Sequence, residues 1–413
     1  MTSVTLALVG GGLRGQLYAR SAVGSGGARV TAIAEPDPGR RSALGAEFAV
    51  PAQHLYADWG ELAAAGRLAD AAIIATQDQL HTAPAIRMAD LGYHLLLEKP
   101  MATSEQDAGA IASAAQRNGI ILAVCHVLRY TPYTRMLKEL LDSGRIGRLV
   151  NVQHLEPVGW WHQAHSFVRG NWRRSDTSAP MLLTKACHDI DWLVHLFGAV
   201  PARVSSFGSL THFRASERPA GAAPRCVDCP LEPSCPYSAK RLYLDCLADP
   251  DRHFWPLGAV TDERTEAGVL EALRTGPYGR CVYACDNDVV DHQVVNMEFP
   301  DGGTCSFTMS AFTPMEHRQT RLLGTHGFVD GNGRTIRLVD FRTGGEELLE
   351  VPEADGDGHG GGDQELTATF LRAVATSDPA LLSTDAATSL ATHRVVWAAE
   401  QARTTGTVVT LAP

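Results

Sequence analysis

The sequence predicts two domains: a doubly wound α/β domain on a parallel sheet, then an α+β domain on a mainly antiparallel sheet backed by helices. Three observations carry this expectation. Short apolar runs alternate with helical patterns through residues 1–126. Alternating segments joined by Gly and Asp turns dominate from Val289 onward. At 413 residues the chain is too long for one ordinary core.

The first run, Val4–Val9, is nearly continuous in apolar residues, as a strand covered on both faces requires. The turn Gly10-Gly11-Gly12-Leu13-Arg14-Gly15 follows and opens a helix over about 13–21. Val30–Ala34 is the second strand and ends at Glu35; Ala71–Thr76, Tyr93–Leu97 and Ile120–Val124 continue the series. A helix from His81 to Leu91 is closed by Gly92. Another is opened by Ser104, with Asp107 three residues on, and ended by Asn118-Gly119.

In the second half, Tyr133–Leu141 and Ala186–Phe197 read as helices and Val150–Leu155 as a strand. An antiparallel meander is expected from Val289–Phe299, Thr304–Phe312, Thr320–Gly324, Gly327–Asp330 and Thr335–Phe341. Asp355–Asp363 reads as a glycine-rich loop holding His359, followed by helices over Gln364–Thr376 and Thr384–Arg403. The division falls at 1–126 and 127–413. Residues 213–280, rich in Pro and Cys, form an insertion without a core of its own.

A formal charge of −10 argues against a nucleic-acid surface. No apolar stretch reaches the roughly 18 residues of a membrane helix. Val4–Val9 lacks the basic leader of a signal segment. A cytoplasmic protein is expected, its nine cysteines thiols or metal ligands.

The glycine turn has a mechanical reading. Gly10 permits the tight turn, Gly12 lets backbone amides approach a pyrophosphate, and Gly15 allows close helix–strand packing. The helix start then offers N–H groups to the phosphates. Glu35 stands twenty residues after Gly15, where it would bind a ribose 2′-hydroxyl and repel a 2′-phosphate. That favours NAD, while Arg40 and Arg41 keep NADP open.

Cys226-x2-Cys229-x5-Cys235, with Cys281 as fourth ligand, suits a structural zinc; scattered reduced thiols and an iron–sulfur cluster are the other readings. Cys125, Cys187 and Cys305 sit in apolar contexts and read as packing residues. Trp160, Trp161, His162, His165, Arg169, Asn171 and Trp172 join indoles, which stack on sugar C–H faces, to hydrogen-bonding groups. Aromatic packing under a long loop is the other reading. Asp286-Asn287-Asp288 and His292 are further candidates to face a substrate, and a solvated turn is the other reading of the Asp286 and Asp288 pair.

With these residues in place, the chain resembles the Gfo/Idh/MocA family of NAD(P)-dependent oxidoreductases over nearly its full length. The resemblance rests on the Gly10–Gly15 turn, Ala34-Glu35-Pro36-Asp37, His81, Glu98-Lys99-Pro100, Arg129-Tyr130-x-Pro132, Gly144-x-Ile146-Gly147 and His188-Asp189-Ile190-Asp191. It implies an N-terminal Rossmann domain and a C-terminal domain whose open-faced sheet serves as an oligomer interface, hence a homodimer or homotetramer. It implies hydride transfer between nicotinamide and a secondary alcohol or ketone of a sugar, sugar derivative or cyclitol. The alternative it carries is a glycosidase or lyase that works by transient oxidation with recycled cofactor.

The resemblance makes Lys99 the catalytic lysine and His188 a catalytic or substrate-orienting histidine. Expected cofactor contacts are Gly10, Gly12, Leu13, Arg14, Glu35, Thr76, His81, Glu98 and Lys99. Expected substrate contacts are Arg129, Trp160, Trp161, His162, His165, Trp172 and Asp191. The family often has an aspartate four residues before the histidine; here Thr184 stands there, and adjacent Lys185 is the expected replacement in the proton path. A free lysine, with a pKa of about 10.4, is a poor base at neutral pH. Partial burial and a second cation, Lys185 or protonated His188, would lower that value. Asp191, one helical turn from His188, would orient the imidazole.

Overall fold

The computed structural model describes residues 3–353 and 359–411, so residues 355–358 of the expected glycine-rich loop lie outside the described residues. The first domain runs β1 (Val4–Val9), α1 (Leu13–Gly24), β2 (Ala28–Ala34), α2 (Pro38–Glu47), β3 (Leu55–Tyr56), α3 (Trp59–Ala64), β4 (Ala71–Ile74), α4 (Thr82–Asp90), β5 (His94–Leu97), α5 (Glu105–Arg117) and β6 (Leu122–Val124). Its sheet is parallel, in the order β3-β2-β1-β4-β5-β6. The order reverses between β1 and β4, which opens a crevice at the carboxyl ends of the strands. Helix starts follow the sequence signals: the side chains of Asp37 and Ser104 accept from the backbone N–H of Arg40 and Asp107.

The second domain begins with α6 (Pro132–Asp142) and β7 (Leu149–Pro157). The short α7 (Trp160–His162) runs into a π-helical stretch, Gln163–Arg169, and α8 (Met181–Thr184) precedes α9 (Cys187–Phe197). Then come β8 (Arg203–Ser209), α10 (Ala239–Ala248), α11 (Glu266–Thr275), β9 (His292–Glu298), β10 (Thr304–Ser310), β11 (Gln319–Gly324), β12 (Gly327–Gly331), β13 (Thr335–Asp340), β14 (Gly345–Glu350), α12 (Gly362–Thr376), α13 (Ala386–Thr405) and β15 (Val409–Thr410). The nine-stranded sheet has the order β14-β13-β12-β11-β7-β10-β9-β8-β15, with β7 and β10 parallel and the other pairs antiparallel.

Strand alternation decides which face is covered. Val152, Val295, Phe307, Leu322, Val329 and Ile336 are buried with Ile190 and Leu193 of α9 and Val395 and Val396 of α13. The opposite face carries polar pairs, Ser306 with Asn296 and Arg337 with Glu346, and stays open.

Two features depart from the expected division. Helix α12 packs on the first domain, where Leu366, Phe370 and Val374 share a core with Leu6, Leu8 and Tyr18. The insertion does have a core of its own: Tyr243, Cys246, Leu257, Val269 and Leu273 are buried together between α10 and α11. Among the described residues no helix is long and apolar enough to cross a membrane.

Candidate active site

Strand register gathers the crevice. Val9 of β1 aligns with Ala34 of β2 and Ile74 of β4, and Ile74 aligns with Leu97 of β5. Gly10, Glu35, Ala75 and Glu98 therefore leave the sheet side by side. Gly10 has φ 90°, and a Cβ there would lie 2.6 Å from the Ala75 carbonyl oxygen. At Gly15 a Cβ would come within 2.0 Å of the Gly10 carbonyl oxygen. Both positions require glycine. Gly12 differs, since a Cβ there meets nothing within 4 Å among the described residues. Helix α1 starts at Leu13 with no capping side chain and no acidic residue in its first turn.

Glu35 is buried at the end of β2, where its carboxylate accepts from Gly11 N at 2.7 Å, Asp37 N at 3.0 Å and Arg40 Nη1 at 3.1 Å. Of its roughly four acceptor positions one remains. Arg41 turns to the Glu35 carbonyl at 2.5 Å. Arg14 lies between Glu98 and Asp363, at 2.5 Å from each, and also donates to Tyr18. His359 Nδ1 donates to Asp363 Oδ2 across 2.9 Å.

Lys99 ends β5 and crosses to the second domain, its Nζ donating to the Thr184 carbonyl at 2.6 Å. His188, buried in the first turn of α9, has no hydrogen-bond partner at Nδ1 among the described residues. Burial holds its imidazole well below the usual range, helped by the nearby charges of Lys99 and His359. His162 is held down in the same way, first by burial and then by Lys185, with Lys99 among the further contributors. Lys185 pairs with Glu156 at 2.9 Å, and Glu156 also meets Arg318 at 3.0 Å. Arg318 in turn donates to Asp189, which His154 reaches at 3.1 Å.

A neutral histidine and a caged lysine thus flank Lys99 at the mouth of a dinucleotide crevice. Residues 4–126 match the NAD-binding Rossmann fold of the oxidoreductase family Gfo/Idh/MocA, and residues 138–411 match its C-terminal alpha/beta domain. The chain belongs to the Gfo/Idh/MocA oxidoreductase family. The oxidoreductase YteT of Bacillus subtilis is 25% identical over 315 residues, which are 72% of this chain and 71% of that one. The 2,7-anhydro-N-acetylneuraminate hydratase of Mediterraneibacter gnavus is 28% identical over 210 residues, 50% of this chain, and the match spans 53% of that enzyme. Levoglucosan dehydrogenase in complex with NADH and levoglucosan shares the fold, with a TM-score of 0.73 over 100% of both chains at 16% identity.

In this Gfo/Idh/MocA chain several expected site residues face elsewhere. Asp191 does not orient His188; it is bound by Arg129 through Nε at 2.6 Å and Nη2 at 2.7 Å, with Thr392 at 3.1 Å. Both partners are buried, and each satisfies the other rather than a substrate. The protonated His188 expected to act on Lys99 is replaced by a neutral ring, because its burial disfavours the charge. His81 braces the crevice from behind: its ring nitrogens lie 2.8 Å from the Pro100 carbonyl and 3.1 Å from the Thr76 carbonyl. Thr76 Oγ1 donates to the Leu80 carbonyl at 3.1 Å.

The aromatic cluster divides. His162 and Trp161 pack against Trp255 of the insertion at 5.0 and 5.3 Å between ring centres. Trp160, partly exposed, donates to the Pro236 carbonyl at 3.2 Å. His165 faces the insertion, bound to Tyr243 Oη at 2.7 Å and stacked on Tyr278, and burial pulls its pKa down to about 3. Trp172 pins the two domains, donating to Asp78 at 2.9 Å. Asp286 pairs with Arg173 and Arg280, and Asp288 accepts from Ser175, on the surface of the turn.

Cys125, Cys187 and Cys305 are buried packing residues. Cys226, Cys229, Cys235 and Cys281 line one cavity of about 220 Å³. Among the described residues, however, no three His, Cys, Asp or Glu are gathered tightly enough to hold a metal ion, so the expected compact zinc tetrahedron is not drawn together.

The buried histidines give the fold an acid limit. Burial depresses His126, His162 and His188, and takes His393 to about 3. Below the ordinary value of about 6.5 the unfolded chain binds protons that the folded chain refuses, so stability is full above it and falls with pH. Asp191, Asp363 and Glu98 add to this: burial would raise them, but Arg129, Arg14 and neighbouring charges hold them below their ordinary values. Their contribution is lost as pH falls through the carboxylate range. Tm measured by scanning fluorimetry is expected to be level above about pH 7 and to drop steadily toward pH 5; a flat profile across that range would contradict it.

Proposed function

We propose that this protein is an NAD-dependent dehydrogenase or reductase that moves hydride between nicotinamide and a secondary alcohol or ketone of a sugar, sugar derivative or cyclitol. One observation carries the reading: Lys99 Nζ bridges from the carboxyl end of β5 to the Thr184 carbonyl beside α9, next to the glycine turn. The residues fit a dinucleotide. An uncapped α1 leaves its first N–H groups for phosphate, and no described residue crowds the Cβ position of Gly12. NAD supplies the hydride acceptor when bound.

The chain's own groups handle the proton and the orientation. Lys99 Nζ takes the substrate hydroxyl proton during oxidation and returns it during reduction, with the Thr184 carbonyl fixing its position. Neutral His188 offers a ring nitrogen that has no competing partner among the described residues to a second oxygen of the substrate. Lys185, tied to Glu156, supplies a fixed positive charge and N–H donors for further hydroxyls. Thr184 therefore contributes its main chain where the family often has a carboxylate.

The test is NADH formation across a panel of polyols, aldoses, anhydrosugars and cyclitols. Turnover of at least one of them is expected, and no turnover with any would refute the reading. Glu35 supports NAD over NADP. Glu35→Ala is expected to raise the NAD KM roughly tenfold, the scale of one charge-assisted hydrogen bond, and to free Arg40 for a 2′-phosphate. An unchanged NAD to NADP preference in steady-state kinetics would overturn that assignment.

A second reading is favoured by the likeness to the hydratase: transient oxidation with recycled cofactor and no net NADH. Cofactor retained through purification, with cleavage of an anhydrosugar or glycoside, would select it. We also propose self-association through the open sheet face, where Phe207 and Leu348 stand exposed, and a reducing compartment such as the cytoplasm, consistent with nine unpaired cysteines.

A further inference from the structure

Arg169 is buried in the π-helical stretch and has no carboxylate partner among the described residues. Its Nε donates to the Arg280 carbonyl at 2.7 Å and its Nη2 to the Tyr237 carbonyl at 2.8 Å. Nη1 has no partner among the described residues, and Nη2 also points at Cys226 Sγ from 3.5 Å. A buried guanidinium held only by neutral carbonyls needs an anion nearby.

The cavity that Arg169 borders is walled by Cys226, Cys229, Cys235 and Cys281. The backbone builds this wall deliberately. Arg225 and Arg280 form a β-bridge, and Cys281 N donates to the Pro224 carbonyl at 2.8 Å, which brings Cys281 to the segment that carries Cys226 although 55 residues separate them. Ala223 N points at Cys229 Sγ from 3.4 Å. Glu232 also reaches the cavity, with its carboxylate accepting from Ser238. Four sulfurs thus border one cavity, with one backbone N–H aimed at Cys229 and one uncompensated cation, Arg169, aimed at Cys226.

We propose that Cys226, Cys229, Cys235 and Cys281 bind a thiophilic metal centre as four thiolates, with Arg169 as its buried counter-charge. Thiolate ligands select zinc and iron–sulfur clusters. One Zn²⁺ or one oxidised [4Fe–4S]²⁺ core with four thiolates carries the same net charge of −2, so both meet the demand set by Arg169. Each thiol gives up its proton as its S–metal bond forms, so four protons leave per centre and no electron moves. Loading draws together sulfurs that now stand around the cavity. Three of the four ligands lie in the insertion, and the fourth, Cys281, stands just past its end.

The test is zinc, iron and acid-labile sulfide determined on the full-length protein purified anaerobically without chelator. About one zinc per chain, or about four irons with matching sulfide and visible charge-transfer absorption, is expected. The two results distinguish the occupants. Cys229→Ser and Cys281→Ser are expected to lose the metal, while Cys285→Ser, whose side chain does not line the cavity, retains it. Less than about a tenth of an equivalent of either metal in the native protein would overturn the proposal. So would metal lost on Cys285→Ser but kept on Cys281→Ser.

Discussion

Lys99→Met is expected to lower kcat about a thousandfold, within the range measured for removal of a positioned acid–base group. The loss is confined to turnover. NADH affinity, read by fluorescence titration, should change by no more than about threefold, because the phosphate-binding turn and Glu35 are untouched. Lys99→Arg keeps the charge without rescuing turnover, since a guanidinium does not give up its proton at neutral pH and its fork does not fit the single Thr184 carbonyl. A kcat within tenfold of the native value in Lys99→Met would remove Lys99 from the chemistry.

Arg129→Met is expected to destabilise the fold by roughly 3–5 kcal/mol, the cost of leaving one member of a buried ion pair alone. Asp191 would then face a nearly dry interior with Thr392 at 3.1 Å as its remaining side-chain hydrogen bond among the described residues. Arg129 also donates to the Ser383 carbonyl at 2.7 Å, so the substitution loosens the approach to α13. A marked fall in Tm is expected, and the double variant Arg129→Met/Asp191→Leu should recover much of it by removing the stranded charge. Equal Tm values for the single variant and the native protein would refute this assignment.

Much of the fold is legible in the sequence because burial leaves a periodic trace. β1, β4 and β5 are covered on both faces and read as apolar runs, while β9, β10 and β11 alternate because one face is open. β14 escapes notice for the opposite reason: Gly345–Glu350 is almost wholly exposed, so no face imposes a period. The site divides similarly. Lys99 and the glycine turn are marked by short motifs whose geometry is local. Asp363 reaches Arg14 across 349 residues, and Arg318 reaches Asp189 across 129, distances at which spacing carries no signal. His188 and Asp191 show how spacing misleads, since helical neighbours compete with partners such as Arg129 from another element. The Trp160–Trp172 stretch is contiguous in sequence, yet its π-helical turn sends His165 and Trp172 in different directions.

Helix α12 lies near the far end of the described chain yet completes the core around β1 and α1, and its Asp363 secures Arg14 beside the glycine turn. During synthesis, the ribosome therefore releases the first domain well before the residues that cover Leu6, Leu8 and Tyr18 have been made. The nascent domain waits with an apolar groove open and Arg14 lacking one of its two carboxylates. A chaperone that shields that groove has a defined interval in which to act, from the emergence of β6 to the arrival of α12.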